Sequence, residues 1–101
     1  LAITYIRQNC ERDITLDEIS GIVKMSKFYF SSEFKKITGY AFVTFLNISR
    51  CEKAKHLLSA TDTAISEIGT QCGFSDPSYF TRTFTKQYGI SPSEYRRKKK
   101  V

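Results

Sequence analysis

Two segments of the chain carry side chains that could bind a nucleic acid. In residues 27–38 the outward positions of a predicted helix are Lys27, Phe28, Ser31, Ser32, Lys35 and Lys36. In residues 77–88 they are Ser78, Thr81, Arg82, Thr85 and Lys86. Arginine can bind guanine bidentately, hydroxyls can reach bases or phosphates, and a phenyl ring or threonine methyl can contact a thymine methyl. These residue types would allow recognition of duplex DNA, although an ordinary helix face exposed to solvent carries the same kinds of residues.

The opposite faces of the same two helices are apolar. Their inward positions are Phe30, Phe34 and Ile37 in the first helix and Phe80, Phe84 and Tyr88 in the second. Aromatic residues at this spacing are expected in a core rather than in a base-stacking platform. Neither outward face carries an acid at its centre, and Glu33 lies toward one edge. Such a face suits a groove lined by phosphates.

Each of these helices has clear start and stop signals and follows a shorter helix. Ser26 and the pair Asp76–Pro77 are start signals, whereas Gly39 and Gly89 are stop signals. The preceding short helices are predicted over residues 16–23, after a capping box at 15–18, and over residues 64–72. The order in both places is short helix, tight turn, longer helix.

The two halves of the chain repeat this pattern. Four positions recur with an offset of 49: Leu16, Ile19, Val23 and Met25 match Ile65, Ile68, Cys72 and Phe74. Five positions recur with an offset of 50: Ser26, Phe30, Phe34, Gly39 and Phe45 match Asp76, Phe80, Phe84, Gly89 and Tyr95. The change of one residue falls in the tight turn. Each half therefore has the pattern of a helix-turn-helix; where such a motif reads DNA, its second helix lies in the major groove.

The segment that joins the halves, residues 41–60, contains no Gly or Pro. It predicts one helix about 30 Å long at about 1.5 Å per residue. Its apolar face turns by roughly a third of a turn, from Phe42, Phe45 and Leu46 to Ala54, Leu57 and Leu58. A turning face indicates two cores, one at each end. Two DNA-reading helices on such a linker could lie about 34 Å apart, which is one turn of DNA.

The prediction is therefore an all-α fold of about seven helices. It consists of a first helix-turn-helix subdomain (1–40), a linker helix (41–60) and a second subdomain with a basic C-terminal tail (61–101). The net charge is +6, but five basic residues fall in 96–100, and the other 11 nearly balance the 10 acidic ones. Bulk charge alone thus indicates little about function.

Other classes of function find little support in the residues. Cys10, Cys51 and Cys72 are widely spaced, which favours a reducing compartment and core roles over disulfides or zinc binding. His56 has no ligand cluster around it. We expect no enzymatic activity and no cofactor, because the chain lacks a nucleophile–base pair and a phosphate-cradling glycine loop. We also expect no metal and no membrane span. A helical protein-interaction module without DNA contact remains the alternative.

Several motifs resemble one family along residues 3–97. They are ISEIG at 65–69, GFSDPSYFTRTF at 73–84, YGISPSEYR at 88–96, TLDEI at 15–19, FKKITG at 34–39, and Arg50 with AKHLL at 54–58. With these motifs the chain resembles the DNA-binding domain of the AraC/XylS family of bacterial transcription regulators. The resemblance implies seven helices, two helix-turn-helix units bridged by the fourth helix, and binding to promoter DNA.

The resemblance also implies roles for individual residues and partners. It assigns base contacts to Lys27, Phe28, Ser31 and Ser32 in the first half and to Ser78, Thr81 and Arg82 in the second. Outward position adds Lys35, Lys36, Thr85 and Lys86 as expected phosphate contacts. Expected partners are double-stranded promoter DNA, RNA polymerase, and an N-terminal sensing or receiver domain. The expected location is the cytoplasm, in association with the nucleoid.

The sequence departs from the family pattern at four positions. Ala41 and Ala64 stand where a capping Ser or Thr is common, which weakens each helix start by about 1 kcal/mol. Thr85 stands where Lys is common, and Gly69 where Ala is common. For Phe28 the sequence leaves two roles open, burial against a neighbouring side chain or contact with a base.

Overall fold

The chain folds into seven helices connected by short turns. The structure, a computed structural model, describes residues 1–99, so Lys100 of the predicted basic tail and Val101 lie outside the described residues. The helices are α1 (Ala2–Asn9), α2 (Leu16–Ile22), α3 (Lys27–Thr38), α4 (Phe42–Ala60), α5 (Ile65–Gln71), α6 (Pro77–Tyr88) and α7 (Pro92–Lys99). Residues 1–99 contain no strand. The prediction of an all-α fold of about seven helices is confirmed.

Side chains and glycines set the helix ends as the sequence predicts. Thr15, Ser26 and Asp76 accept hydrogen bonds from backbone N–H groups in the first turns of α2, α3 and α6. Gly39 and Gly89 end α3 and α6 in the left-handed conformation, both with φ of 82°. A residue with a Cβ rarely adopts this conformation, so glycine fixes both ends. The starts of α4 and α5 have no side-chain cap, which agrees with the alanines before them.

The long helix α4 belongs to two cores. Its N-terminal half contributes Phe42, Phe45 and Leu46 to a core with α1, α2 and α3. Its C-terminal half contributes Cys51, Ala54 and Leu58 to a core with α5, α6 and α7. We call these two halves of the molecule the first lobe and the second lobe. The molecule is a rod of 46 × 21 × 21 Å, with a core at each end, as the turning apolar face of the linker predicts.

One residue expected in the core is exposed. Ile37 retains 75% of its accessible surface, whereas Phe30 and Phe34 on the same face are buried. It lies in the last turn of α3, beside an open apolar groove of about 320 Å³ between α1 and α3. No described side chain fills this groove. The periodicity of α3 is correct, but its last inward position lies at this open groove and stays exposed.

The C-terminal basic residues are part of the fold. Arg96 to Lys99 belong to α7, so they form a helix rather than a tail. The Arg96 guanidinium donates hydrogen bonds of 3.1 Å to the carbonyl oxygens of Leu58 and Thr61. These carbonyls lie at the C-terminal end of α4, where helix carbonyls lack partners and a cation is favourable. Arg96 therefore fastens α7 to α4.

A charged cluster joins α1 to α2. Glu18 accepts hydrogen bonds from the Tyr5 hydroxyl and from Arg12, with 3.1 Å between Glu18 Oε1 and Arg12 Nη1. These bonds, first that from Arg12, lower the pKa of Glu18 to about 2. The carboxylate therefore stays ionised in the folded protein through most of the acid range.

Candidate nucleic-acid interface

The α3 face, defined as Lys27, Phe28, Ser31, Ser32, Lys35 and Lys36, points away from the first core. The opposite side of α3 is held by Phe30 and Phe34, whose ring centroids are 5.3 Å apart. Both rings also meet Phe42 edge-on at 6.2 and 6.3 Å. This packing leaves the residues of the α3 face exposed, except for Ser31, which is half-buried. Aromatic packing therefore decides which side of α3 a ligand can reach.

Phe28 is 92% exposed. Burial against a neighbour, one of the two roles that the sequence left open, is therefore excluded. An exposed phenyl ring contributes little to folding, because it removes almost no apolar surface from water. Its position on the α3 face is consistent with contact to a base.

The α6 face, defined as Ser78, Thr81, Arg82, Thr85 and Lys86, is held outward in the same way. Phe80 and Phe84 are fully buried, with ring centroids 6.0 Å apart. Ser78, Thr81, Arg82 and Lys86 are exposed, and Thr85 is half-buried. The Thr85 hydroxyl donates a 2.7 Å hydrogen bond to the Thr81 carbonyl. Thr85 would have to break this bond to donate to a phosphate, so it is the weakest of the four expected phosphate contacts.

Two tyrosines, Tyr29 and Tyr79, border these faces. Tyr29 and Tyr79 are both exposed, although each keeps part of its ring against the protein. The Tyr79 ring lies 6.0 Å from the Phe74 ring, and its hydroxyl accepts a 2.8 Å hydrogen bond from Asn47 on α4. Tyr79 therefore links α6 to the linker helix.

The cations of the two faces differ in their partners. Lys27 forms a 3.1 Å ion pair with Asp17, and Lys36 forms a 3.4 Å pair with Glu33. Within residues 1–99, no ion pair involves Lys35, Arg82 or Lys86. Exposed ion pairs contribute little to the stability of the fold, so a phosphate could replace Asp17 or Glu33 as the partner of the lysine with little loss of stability. The three unpaired cations need no such exchange.

The start of α4 borders both faces, which the sequence did not indicate. A groove of about 490 Å³ is lined by Ser31, Lys35 and Val43 among others. A second groove of about 690 Å³ is lined by Val43, Arg82 and Lys86, together with Tyr40, Thr44 and Asn47. Val43 thus lies between the α3 face and the α6 face. The only signal in the sequence was an apolar residue outside both core faces of the linker.

The three cysteines and the single histidine belong to neither face. The three cysteines are free and buried. Burial raises the pKa of Cys51 to about 12 and that of Cys72 to about 11, so neither is a thiolate at neutral pH. His56 is exposed. Among residues 1–99, no group of three or more His, Cys, Asp or Glu side chains could hold a metal. In the same part of the chain, no helix has the length and apolar character to cross a membrane.

The chain is similar in sequence and structure to known transcription regulators. The sequence model of a family described as "Helix-turn-helix domain" matches residues 19–98. Regulatory protein PocR of Salmonella typhimurium is 36% identical over 95 residues, which cover 94% of this chain and 31% of PocR. The chain spans about a third of the length of the curated relatives it matches.

Two solved structures are similar over nearly the whole chain. A transcriptional regulator of the AraC type from Chromobacterium violaceum has a TM-score of 0.92 at 28% identity, covering 97% of this chain and 88% of that one. The DNA-binding domain of AdpA, a global transcriptional factor solved in complex with a target DNA, has a TM-score of 0.90 at 26% identity. That match covers 96% of this chain and 87% of that one.

Proposed function

The chain belongs to the AraC/XylS family as a DNA-binding transcription regulator domain, and from this premise we propose how it binds. It binds promoter DNA sequence-specifically, with α3 in one major groove and α6 in the next groove along the same side of the duplex. One chain supplies both helices, so no dimer is needed to reach both grooves. In this proposal residues 1–40 and 61–101 are the two reading subdomains, and residues 41–60 are the linker.

The observation that carries this proposal is the position of Val43. It borders one groove with Ser31 and Lys35 and another with Arg82 and Lys86. The α3 face and the α6 face therefore flank the same stretch of α4. Two reading helices can engage a straight duplex together only if their outward faces open on one side of the protein.

The dimensions of the molecule support two-groove binding. Successive major grooves on one side of B-DNA are about 34 Å apart. The molecule is 46 Å long, with one helix-turn-helix at each end. A rod of this length can present two helices about one DNA turn apart, whereas a compact particle of the same mass could not.

We propose the following division of roles within the two faces. Lys27, Phe28, Ser31 and Ser32 contact bases through α3, and Ser78, Thr81 and Arg82 contact bases through α6. Lys35, Lys36 and Lys86 bind phosphates, with Thr85 as a weaker fourth contact. Arg82 is exposed and forms no ion pair among residues 1–99, so its guanidinium is available for bidentate binding to guanine O6 and N7.

We also propose the context in which the domain works. An N-terminal sensing or receiver domain controls the exposure or pairing of the DNA-binding domain, and RNA polymerase is the partner through which binding affects transcription. The bound promoter places the protein on the nucleoid in the cytoplasm.

The test is equilibrium binding to duplexes captured from sheared genomic DNA of the source organism. Fluorescence anisotropy at near-physiological salt would compare a captured duplex with a shuffled duplex of equal length. We expect the captured duplex to bind about a thousandfold or more tightly than the shuffled one. Equal affinities would refute sequence-specific binding.

A pair of variants tests the assignment of Arg82. Arg82→Ala should weaken binding to the captured duplex by about 1–3 kcal/mol and relax the preference at one base pair. The matched control Arg97→Ala removes the same charge from an exposed position on α7, outside both faces. It should affect captured and shuffled duplexes equally. If Arg82→Ala also weakens both equally, Arg82 binds a phosphate and not a base.

A further inference from the structure

A buried arginine, Arg50, lies where the two lobes meet. Arg50 lies at the middle of α4, between the residues that enter the first core and those that enter the second, and is only 8% exposed. Its Nε donates a 2.6 Å hydrogen bond to the Cys10 carbonyl, and its Nη2 donates a 3.0 Å bond to the Arg12 carbonyl. Both carbonyls follow α1. The guanidinium therefore holds the end of the first lobe's α1.

The same guanidinium contacts the second lobe. Its central carbon lies 5.8 Å from the centroid of the Phe74 ring, in the turn between α5 and α6. The buried Phe74 ring in turn lies 5.1 Å from the ring of Phe80 and 6.0 Å from that of Tyr79, both on α6. Arg50 is therefore linked to α6, the helix that carries the α6 face, through the Phe74 ring.

Gly73 brings the two lobes into direct contact. A Cβ on this residue would lie 2.6 Å from Arg50 Nε and 2.6 Å from the Cys10 carbonyl oxygen. Its φ of 108° is also a conformation that residues with a Cβ rarely adopt. The turn of the second helix-turn-helix is thus pressed against the first lobe at the point where Arg50 binds.

A buried charge is a poor means of gaining stability. Removing a guanidinium from water is unfavourable, and apolar side chains of similar volume often serve a core as well or better. The Asp13 carboxylate oxygen Oδ1 lies 3.7 Å from Arg50 Nη2, and the Asp13 side chain is 98% exposed. This ion pair therefore offsets little of the cost of burying the guanidinium. An arginine can instead fix the relative positions of its hydrogen-bond partners, because its planar guanidinium holds several donors in one rigid arrangement.

We propose that Arg50 is a positioning residue that fixes the distance and angle between α3 and α6. It thereby sets the spacing of the two DNA half-sites that the domain accepts. This inference rests on the proposed two-groove binding, but its mechanical part concerns the protein alone. One inserted base pair moves a half-site by about 3.4 Å and turns it by about a tenth of a turn. A rigid rod cannot follow that change, whereas two loosely joined lobes can.

The mechanical part is tested without DNA. Residual dipolar couplings of backbone N–H groups, measured on the 101-residue chain in a dilute aligning medium, report the orientation of each lobe. We expect one alignment tensor to fit both lobes of the wild type and two different tensors to be needed for Arg50→Met. If the wild type needs two tensors, or Arg50→Met still fits one, Arg50 does not fix the lobes.

The functional part is tested with a series of duplexes. The two half-sites are placed at the preferred spacing and at one base pair more or less. Wild-type affinity should fall about tenfold or more for either shift, a coupling of the size found between groups in contact. For Arg50→Met this penalty should shrink to about twofold, while affinity at the preferred spacing falls. An unchanged spacing profile in the variant would overturn the proposal.

Controls separate positioning from folding and from the proposed function. Arg7→Met is the matched control, because Arg7 also lies 5.8 Å from a phenyl ring, that of Phe45, but within the first lobe. It should keep one tensor and the strict spacing profile. If Arg50→Met does not fold, as judged by circular dichroism, Arg50→Lys keeps the charge but loses the fork and should relax the spacing. If no duplex binds specifically, two-groove binding fails, and the couplings alone decide the role of Arg50.

Discussion

Replacement of Phe28 by alanine separates a binding role from a folding role. Phe28 is 92% exposed, so the change removes almost no buried surface. The free energy of unfolding should therefore change by less than about 0.5 kcal/mol. The same replacement at Phe30, which is 3% exposed two residues later, should cost about 3–5 kcal/mol.

The expected loss of DNA affinity follows from the surface that Phe28 could bury. A phenylalanine side chain can bury about 150 Å². For contact with one thymine methyl we assume that about a third of this surface is covered. At about 25 cal/mol per Å², some 50 Å² corresponds to about 1.25 kcal/mol, or roughly an eightfold rise in Kd. Stability should stay constant while affinity falls.

The assay combines urea denaturation with anisotropy titration of a specific duplex. Replacing the contacted thymine by deoxyuridine removes only the methyl group, so it should weaken the wild type but not Phe28→Ala. Ile37→Ala is the matched control, because Ile37 is also exposed but lies on the opposite side of α3. A loss of stability above 1 kcal/mol, or an unchanged Kd in Phe28→Ala, would refute the reasoning.

Three further predictions concern charge, packing and pH. Lys35→Gln should lower the slope of log K against log salt by about one unit if Lys35 binds a phosphate; an unchanged slope in salt titrations removes it from the interface. A Cβ on Gly69 would lie 2.7 Å from the buried Phe80 ring, so Gly69→Ala should destabilise by about 1–3 kcal/mol in urea denaturation. A Cβ on Gly21 would meet no atom within 4 Å, so the matched replacement Gly21→Ala should raise the free energy of unfolding by about 0.5–1 kcal/mol. If both replacements changed the free energy of unfolding in the same direction, this account would be contradicted. The pKa of Glu18 is lowered to about 2, so its contribution to stability is complete above the unfolded value of about 4.3 and is lost as the pH falls toward 2. Glu18→Gln should remove that part of the acid dependence, and a variant with the wild-type pH profile would exclude Glu18 as its source.

Local signals were sufficient to predict the helices and their outward faces. Ser26, Asp76, Gly39 and Gly89 act within one turn of their own positions, so each could be interpreted without knowledge of the fold. The turning apolar face of α4 likewise predicted two cores, because a helix exposes its periodicity directly in the sequence.

Contacts between distant segments could not be predicted in this way. Arg50 matched a family motif, but its carbonyl partners lie about 40 positions earlier in the chain, and no local pattern indicates them. The same holds for Arg96, which the sequence placed in a basic C-terminal tail although it binds the end of α4. Gly69 departs from the usual alanine because the Phe80 ring fills the space of a Cβ.

The candidate interface was predicted in part. Helical periodicity identified the outward residues of α3 and α6, but not how each is already engaged. The pair of Lys27 with Asp17 and the hydrogen bond that occupies the Thr85 hydroxyl both require the folded geometry. The same is true of Val43, whose place between the two faces depends on how α4 crosses both lobes.

Selection from a randomised duplex library at near-physiological salt tests the central claim most directly. The chain alone, without a dimerising partner, should enrich sequences with two short conserved blocks about 10 base pairs apart. Arg82→Ala should erase one position of one block, and Phe28→Ala should weaken one position of the other. A single conserved block, or no enrichment although binding persists at low salt, would contradict the claim that one chain reads two successive major grooves.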